Sequence, residues 1–211
     1  MDAETTAQVV QFEAGLKRTK RLIEQLLRLA RQEAPQKADA ASSIELAEFL
    51  RDLISDLMPC ADHRDIDLGL SVDINATVRA NPHELRSLLH NLLDNALRYT
   101  PDHGVVDVRV FADGGKVVVE VVDTGPGIPP DLLPRVFDRF FRIEGSDTEG
   151  SGLGLAIAKH AAERNRIDLT LDNRIERSGL VARVTFAEGA SEGAASEGAG
   201  RKNPGKLSAA A

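Results

Sequence analysis

Residues 81–123 constrain this chain more than any other stretch, because they read as one amphipathic helix followed at once by a two-stranded hairpin. In "NPHELRSLLHNLLDNALRYT", Asn81 is placed to cap the helix, Pro82 suits its first turn and Glu84 sits at the capping-box position. Leu85, Leu88, Leu89, Leu92, Ala96 and Tyr99 recur at helical spacing as one apolar stripe. "VVDVRVFADGGKVVVEVVD" alternates with period two on both sides of "DGG", the composition of a tight turn. Ile44 to Phe49 reads as a short strand leading into a helix to about Ala61. Asp65 to Val72 and Ala76 to Ala80 read as strands, Ser151 to Asn165 as a helix, and Ile167 to Asp172 and Leu180 to Ala187 as two further strands. Apolar stripes and half-apolar strands must bury one another, which predicts a mixed sheet with helices on one face, an α+β fold.

Upstream, Phe12, Leu16, Thr19, Ile23, Leu26 and Ala30 recur at steps of 4, 3, 4, 3 and 4, a heptad seam within a long helix ending before Pro35. Leu22, Leu27 and Leu29 widen the stripe, so this helix wants partners in a bundle and makes a homodimer possible. Four segments follow: helix 1–34, linker 35–43, a domain at 44–187, and a tail at 188–211 whose "ASEG" repeats lack large apolar residues and predict disorder. No apolar run approaches the length of a membrane span and the N-terminus is unlike a signal peptide, so a soluble, cytoplasmic chain without membrane contact of its own is expected. The single Cys60 excludes an internal disulfide and a cysteine-rich metal site, and the five histidines form no metal-binding signature. A net charge of −7 argues against nucleic acid as a partner.

Asparagine is a poor residue inside a helix, yet Asn91 and Asn95 sit one turn apart in the strongest one, with Arg98 on the same flank. Amides at a core edge need partners, and a neighbouring loop backbone or a ligand would serve. Three other segments bear on that choice. "VVDTGPGI" ends a strand with Asp123, and Gly125 and Gly127 permit close backbone approach. "VFDRFFR" puts Phe137, Phe140 and Phe141 in a loop that would otherwise be polar. "GSGLGLAIAKH" brings Gly150, Gly152, Leu153 and Gly154 to a helix start, where free N–H groups favour phosphate. The glycine spacing is neither the dinucleotide fingerprint nor a P-loop. Taken singly, these are a turn, an anchor and a helix start.

In this order the four segments resemble the N, G1, F and G2 boxes of bacterial sensor histidine kinases, within the wider GHKL ATPase family that includes gyrase and Hsp90. The resemblance covers about residues 8–187. It implies a two-layer α/β sandwich preceded by the second helix of a dimerisation hairpin. It also implies ATP and Mg²⁺ as cofactors, with Asn95 as the metal ligand and Asn91 beside the phosphates and the metal's water shell. Arg98 and Tyr99 would contact phosphate, and Asp123 would accept the adenine amino group. Gly125, Gly127, Gly150, Gly152, Leu153 and Gly154 would close backbone over the nucleotide, within or beside a mobile lid at 124–151. The phenylalanines would dock that lid, and Arg139 would reach the γ-phosphate.

The resemblance further implies γ-phosphoryl transfer to a histidine, catalysed through Asn95 and Arg98, and relay to the receiver domain of a response regulator. The expected phosphoacceptor motif, H-E-x-x-x-P, does not occur in this chain, whose first histidine is His63. The chain is thus expected to be the C-terminal part of an inner-membrane parent, needing a phosphoacceptor helix from elsewhere. His83, His90, His103 and His160 match no phosphoacceptor position. Hydrolysing relatives carry glutamate where this chain has Asn91, an amide without basicity, which favours the kinase branch. Relatives often have His-Gly where Asn165-Arg166 stands, and Asn165 is expected to take the left-handed turn there. Two alternatives remain: a serine kinase of the anti-sigma-factor type, and a non-catalytic module that binds ATP or heterodimerises through the seam.

Overall fold

The structure, a computed structural model, describes residues 41–143, 151–175 and 177–187, and the backbone of 189–194. The expected N-terminal helix, most of the linker, Gly150 and residues 195–211 lie outside the described residues. Strand β1 (Ser42–Glu45) leads into helix α1 (Leu46–His63), followed by β2 (Asp67–Val72) and β3 (Ile74–Ala80). Helix α2 (Pro82–Tyr99) precedes the hairpin β4 (Val105–Asp113) and β5 (Lys116–Asp123). After a loop with one short 3-10 turn come helix α3 (Gly154–Arg164), β6 (Ile167–Asn173), β7 (Leu180–Phe186) and β8 (Gly189–Ala194).

Five strands form the main sheet in the order β2-β4-β5-β7-β6, with β2 parallel to β4 and the other neighbours antiparallel. Register aligns the inward side chains into rows, such as Leu70–Val108–Val121–Ala182–Leu171 and Val72–Val110–Val119–Val184–Leu169. These rows face the helices, whereas Asp107 and Arg109 on the opposite face are exposed. The sheet is mixed with helices against one face, as the pattern predicted. The hairpin turns through Gly114 (φ 58°) and Gly115 (φ 80°), the two positive values a two-residue turn of this hand requires.

Helix α2 is the centre of the core. Leu85, Leu88, Leu89 and Leu93 are fully buried, and truncating any one to alanine removes roughly 2–5 kcal/mol. Asn81 caps it as expected, its Oδ1 accepting from the N–H of His83 (2.9 Å) and Glu84 (3.1 Å). The reciprocal half of the capping box differs. The Asn81 N–H donates to Asn165 Oδ1 (2.8 Å), while Glu84 accepts from Asn165 Nδ2 (2.6 Å). At the other end Arg64 caps the helix, donating to the carbonyls of Leu97 (2.7 Å), Arg98 (3.3 Å) and Thr100 (2.8 Å). Its Nε is paired with Asp102 (2.8 Å).

Three readings of the sequence are corrected. A second sheet, β1-β3-β8, was not foreseen: β1 has four residues, too few to show a period, and β8 pairs through its backbone. Strand β8 also lies inside the segment read as a disordered tail, because ladder hydrogen bonds to β3 need no apolar side chains. Finally, the left-handed residue after α3 is Arg166 (φ 56°), while Asn165 has φ −94° and spends its amide on α2. Exposed Arg166 bears a conformation that glycine adopts freely. Arg166→Gly is therefore expected to stabilise the chain by about 1 kcal/mol, read as a higher urea midpoint with an unchanged slope.

Candidate functional site

Between the second half of α2, the end of β5, the start of α3 and residues 126–143 lies a cavity of about 440 Å³. Its floor is apolar and built from one row of the sheet, Val121, Ala182 and Leu171, with Leu180 beside it. Leu92, Asn95, Ala96 and Tyr99 of α2 form one wall. Ile128, Val136, Phe141 and Ile143 of the loop, and Leu155 of α3, close much of the rest. Asp123 provides a carboxylate in this otherwise oily chamber, and Arg142 a cation.

Strand geometry explains the carboxylate. Asp123 ends β5 on the inward face, in the row Leu68–Val106–Asp123, and is only 6% exposed. Its Oδ1 accepts from the N–H groups of Gly125 (2.8 Å) and Leu180 (3.1 Å), and no described hydrogen bond uses Oδ2. Burial raises its pKa above the usual carboxylate value; the two N–H bonds and the charge of Arg174 oppose that rise. The result is an anchored acceptor with one oxygen uncommitted among the described residues.

The two asparagines have separate surroundings. Asn91 Nδ2 donates to the Ser87 carbonyl one turn back (2.7 Å), and its Oδ1 faces the start of α3, where a Cβ on Gly154 would lie 3.2 Å away. Asn95 lines the cavity, and its side chain makes no hydrogen bond among the described residues. A Cβ on Gly154 would be 3.7 Å from its Oδ1. Helix α3 begins there with no side-chain cap, so its first N–H groups stand beside both amides; Asn95 and Leu155 line the cavity, and Asn91 and Gly154 lie just outside its lining.

The remaining expected residues divide. Tyr99 lines the cavity, whereas Arg98 does not and is paired with Asp94 (2.6 Å). Arg139 is exposed and away from the cavity lining, where Arg142 stands instead. Leu153 is fully buried against Ile157 and anchors the helix start. Phe137 and Phe141 pack against the core, Phe137 also under Lys159 of α3 (4.9 Å) and Phe141 under Arg135 of its own loop (4.8 Å), while Phe140 is 60% exposed.

The glycines meet the protein itself. A Cβ on Gly152 (φ 69°) would stand 2.7 Å from the Phe140 and Phe141 backbone, and Phe140 N–H donates to the Gly152 carbonyl (2.9 Å). A Cβ on Gly127 (φ 74°) would stand 2.7 Å from Asn173 Oδ1. Asn173 escaped the sequence reading, since a polar residue at a strand end looks like a turn. Its amide brackets Ile128, accepting from the N–H (2.8 Å) and donating to the carbonyl (2.6 Å). Ser178 and Arg174 likewise donate to the carbonyls of Gly125 (2.6 Å) and Asp123 (3.1 Å). The β6–β7 loop thus holds the cavity's Asp123–Pro129 rim from behind.

Residues 80–190 match the family described as histidine kinase-, DNA gyrase B- and HSP90-like ATPase. The sensor protein QseC of Escherichia coli (strain K12) is 35% identical over 179 residues, 84% of this chain and 39% of that protein. Among solved structures, a mycobacterial sensor histidine kinase, MprB, is 29% identical with a TM-score of 0.60, over 69% of this chain and 96% of that one. Full-length ShkA, solved in complex with AMPPNP, is 26% identical with a TM-score of 0.72, over 92% of this chain and 41% of that one. The chain spans about 39% of the length of QseC from two Escherichia coli strains. No helix among the described residues is long and apolar enough to cross a membrane.

Two outcomes follow from the geometry. The raised pKa of Asp123 means that the fold favours the protonated form, so its contribution is present below pH 3.8 and is lost as pH rises through the folded value. Asp123→Asn retains an oxygen for both N–H groups and carries no charge. Urea unfolding should find it more stable than the parent at pH 7, with the gap closing towards pH 3. Gly152→Ala forces a Cβ into backbone, and amide exchange at Phe140 should accelerate by about tenfold while the α2 amides keep their protection.

Proposed function

The chain belongs to the family of histidine kinase-, DNA gyrase B- and HSP90-like ATPases, and from that premise we propose that it is the ATP-binding catalytic portion of a two-component sensor histidine kinase. The observation that carries the reading is one cavity with two unlike ends: an anchored carboxylate among apolar side chains, and Asn95, which stands with Asn91 beside the uncapped start of α3. A purine fits the first end, since its faces suit the apolar walls and its amino group can donate to Asp123. Phosphates fit the second, where backbone N–H groups and the helix dipole favour negative charge. Gly125, Gly127, Gly152 and Gly154 keep the surrounding backbone close.

Magnesium fits the donor set. Asn95 offers an amide oxygen, and no cluster of acidic, histidine or cysteine side chains among the described residues builds an all-protein cage. A hard cation held by one amide, water and phosphate oxygens suits such a site. When bound, it would neutralise phosphate charge. Tyr99 and, once released from Asp94, Arg98 would add contacts to the nucleotide, and Arg142, which lines the cavity, would be the lid arginine to reach it. Arg139 would join only if the lid moved.

Residue 91 separates transfer from hydrolysis. Asn91 is uncharged, with its Nδ2 committed to Ser87, so it offers no base to activate water. The reaction proposed is attack of a histidine nitrogen on the γ-phosphorus with departure of ADP, followed by relay to an aspartate on a response-regulator receiver domain. The acceptor histidine would come from a hairpin helix outside this sequence or on another chain. The seam from Phe12 to Ala30 would dock there, and a homodimer through it belongs to this reading. The site would work on the cytoplasmic side of a membrane-anchored parent.

Calorimetric titration with AMPPNP tests the reading. Magnesium-dependent micromolar binding is expected, and Asn95→Ala should weaken it by about a hundredfold, in the range of a lost metal contact. The purified chain incubated with Mg-ATP should acquire no acid-labile phosphate, whereas a supplied hairpin carrying the acceptor motif should. Absence of binding by the wild-type chain would overturn the nucleotide site. Acid-stable phosphate on a partner would replace histidine transfer with serine transfer.

A further inference from the structure

The Asn165-Arg166 corner does more than end a helix. Helix α3 runs back along α2, with its start against Asn91 and Asn95 and its end against Asn81 and Glu84. Eleven residues separate those ends, roughly 16 Å at 1.5 Å per residue. Ala158, Ala161 and Ala162 are buried along α3, and together with Gly154 they give it a shallow, low-relief surface. Small side chains permit close approach, but they interdigitate little and resist sliding weakly. No side chain caps the start of α3, so the fixed polar attachment is at the far end.

That attachment is specific. Asn165 Oδ1 accepts the Asn81 N–H (2.8 Å), and Nδ2 donates to Glu84 (2.6 Å) and to the Ala161 carbonyl (2.8 Å). Arg164 Nε pairs with the other Glu84 oxygen (2.5 Å). One amide therefore completes the N-terminal box of α2 while belonging to the C-terminus of α3. The Glu84 side chain is only 15% exposed, which shields these bonds from competing water.

We propose that Asn165, with Glu84 and Arg164, is a positioning clamp that sets where the start of α3 stands against Asn91 and Asn95. It thereby sets how well the site accepts the phosphate end of a nucleotide. The inference rests on the nucleotide reading above. It requires no contact between the clamp and the ligand: a shift of α3 along α2 moves the first N–H groups away from both amides, while the apolar end of the cavity keeps its walls.

The experiment compares Mg-AMPPNP with adenosine, which lacks phosphate, on wild-type chain, Asn165→Ala, Glu84→Ala, the double variant and Arg164→Ala. Asn165→Ala is expected to weaken Mg-AMPPNP by about tenfold, in the range of a lost supporting contact, and adenosine by less than about twofold. The double variant should lose no more than the weaker single one, since both open the same clamp. Arg164→Ala, at a 40% exposed side chain, is the mild variant and should shift the same ratio by about twofold. Parallel loss of both ligands, or unchanged affinities with only a lower unfolding midpoint, would make the clamp structural and overturn the proposal. If wild-type chain binds adenosine but shows no gain from the phosphates, the phosphate end falls and the clamp's role falls with it.

Discussion

The burial of α2 against the inner face of the main sheet fixes everything else. Leu85, Leu88, Leu89 and Leu93 have no exposure, so rotation of the helix would drive polar groups into the core at a cost of several kcal/mol. With the stripe seated, the flank bearing Asn91 and Asn95 has one direction left, towards α3. Arg64 at one end and the Asn81–Asn165 exchange at the other prevent the helix from moving along its axis.

A second constraint is electrostatic. Asp123 occupies a place in an apolar row that a valine would fill at no desolvation cost. Its carboxylate persists because Gly125 and Leu180 direct N–H groups at one oxygen, and the β6–β7 loop holds both segments in place. The Asp123–Pro129 loop is thereby stiffened from its far side; under the proposed nucleotide reading, an acceptor held in advance needs less reorganisation on binding. The requirement for glycine at 127 and 152 has the same origin. Each lies where another part of the protein approaches too closely for a Cβ.

Local and cross-chain features differed in how well they could be read. The cap at Asn81, the α2 stripe and the Gly114-Gly115 turn depend on neighbours within a few residues, and each stands where the pattern put it. Asn91, Asn95 and Asp123 were likewise identifiable as residue types out of place in their elements, whereas Tyr99 was read as part of the apolar stripe and entered the site only through the resemblance. Glu84 was read as closing its own capping box, and Asn165 as the left-handed corner. Each was displaced by a partner about eighty positions away. Arg139 was named and Arg142 was passed over, because spacing cannot tell which arginine of a loop lines the cavity.

The sequence by itself determined the periodic elements, their caps, the sheet-and-helix class and the set of residues worth placing in one site. Those properties follow from side-chain period and local backbone preference, which act over a turn of helix or a pair of strand positions. Only the tertiary structure decided that Asn173, Arg174 and Ser178 brace the Asp123–Pro129 loop, that β8 completes a second sheet on β3, and that Asn165 joins α2 to α3. Backbone carbonyls and N–H groups are chemically alike at every position. Which of them a distant amide or hydroxyl meets is set by packing, after the core has brought the segments together.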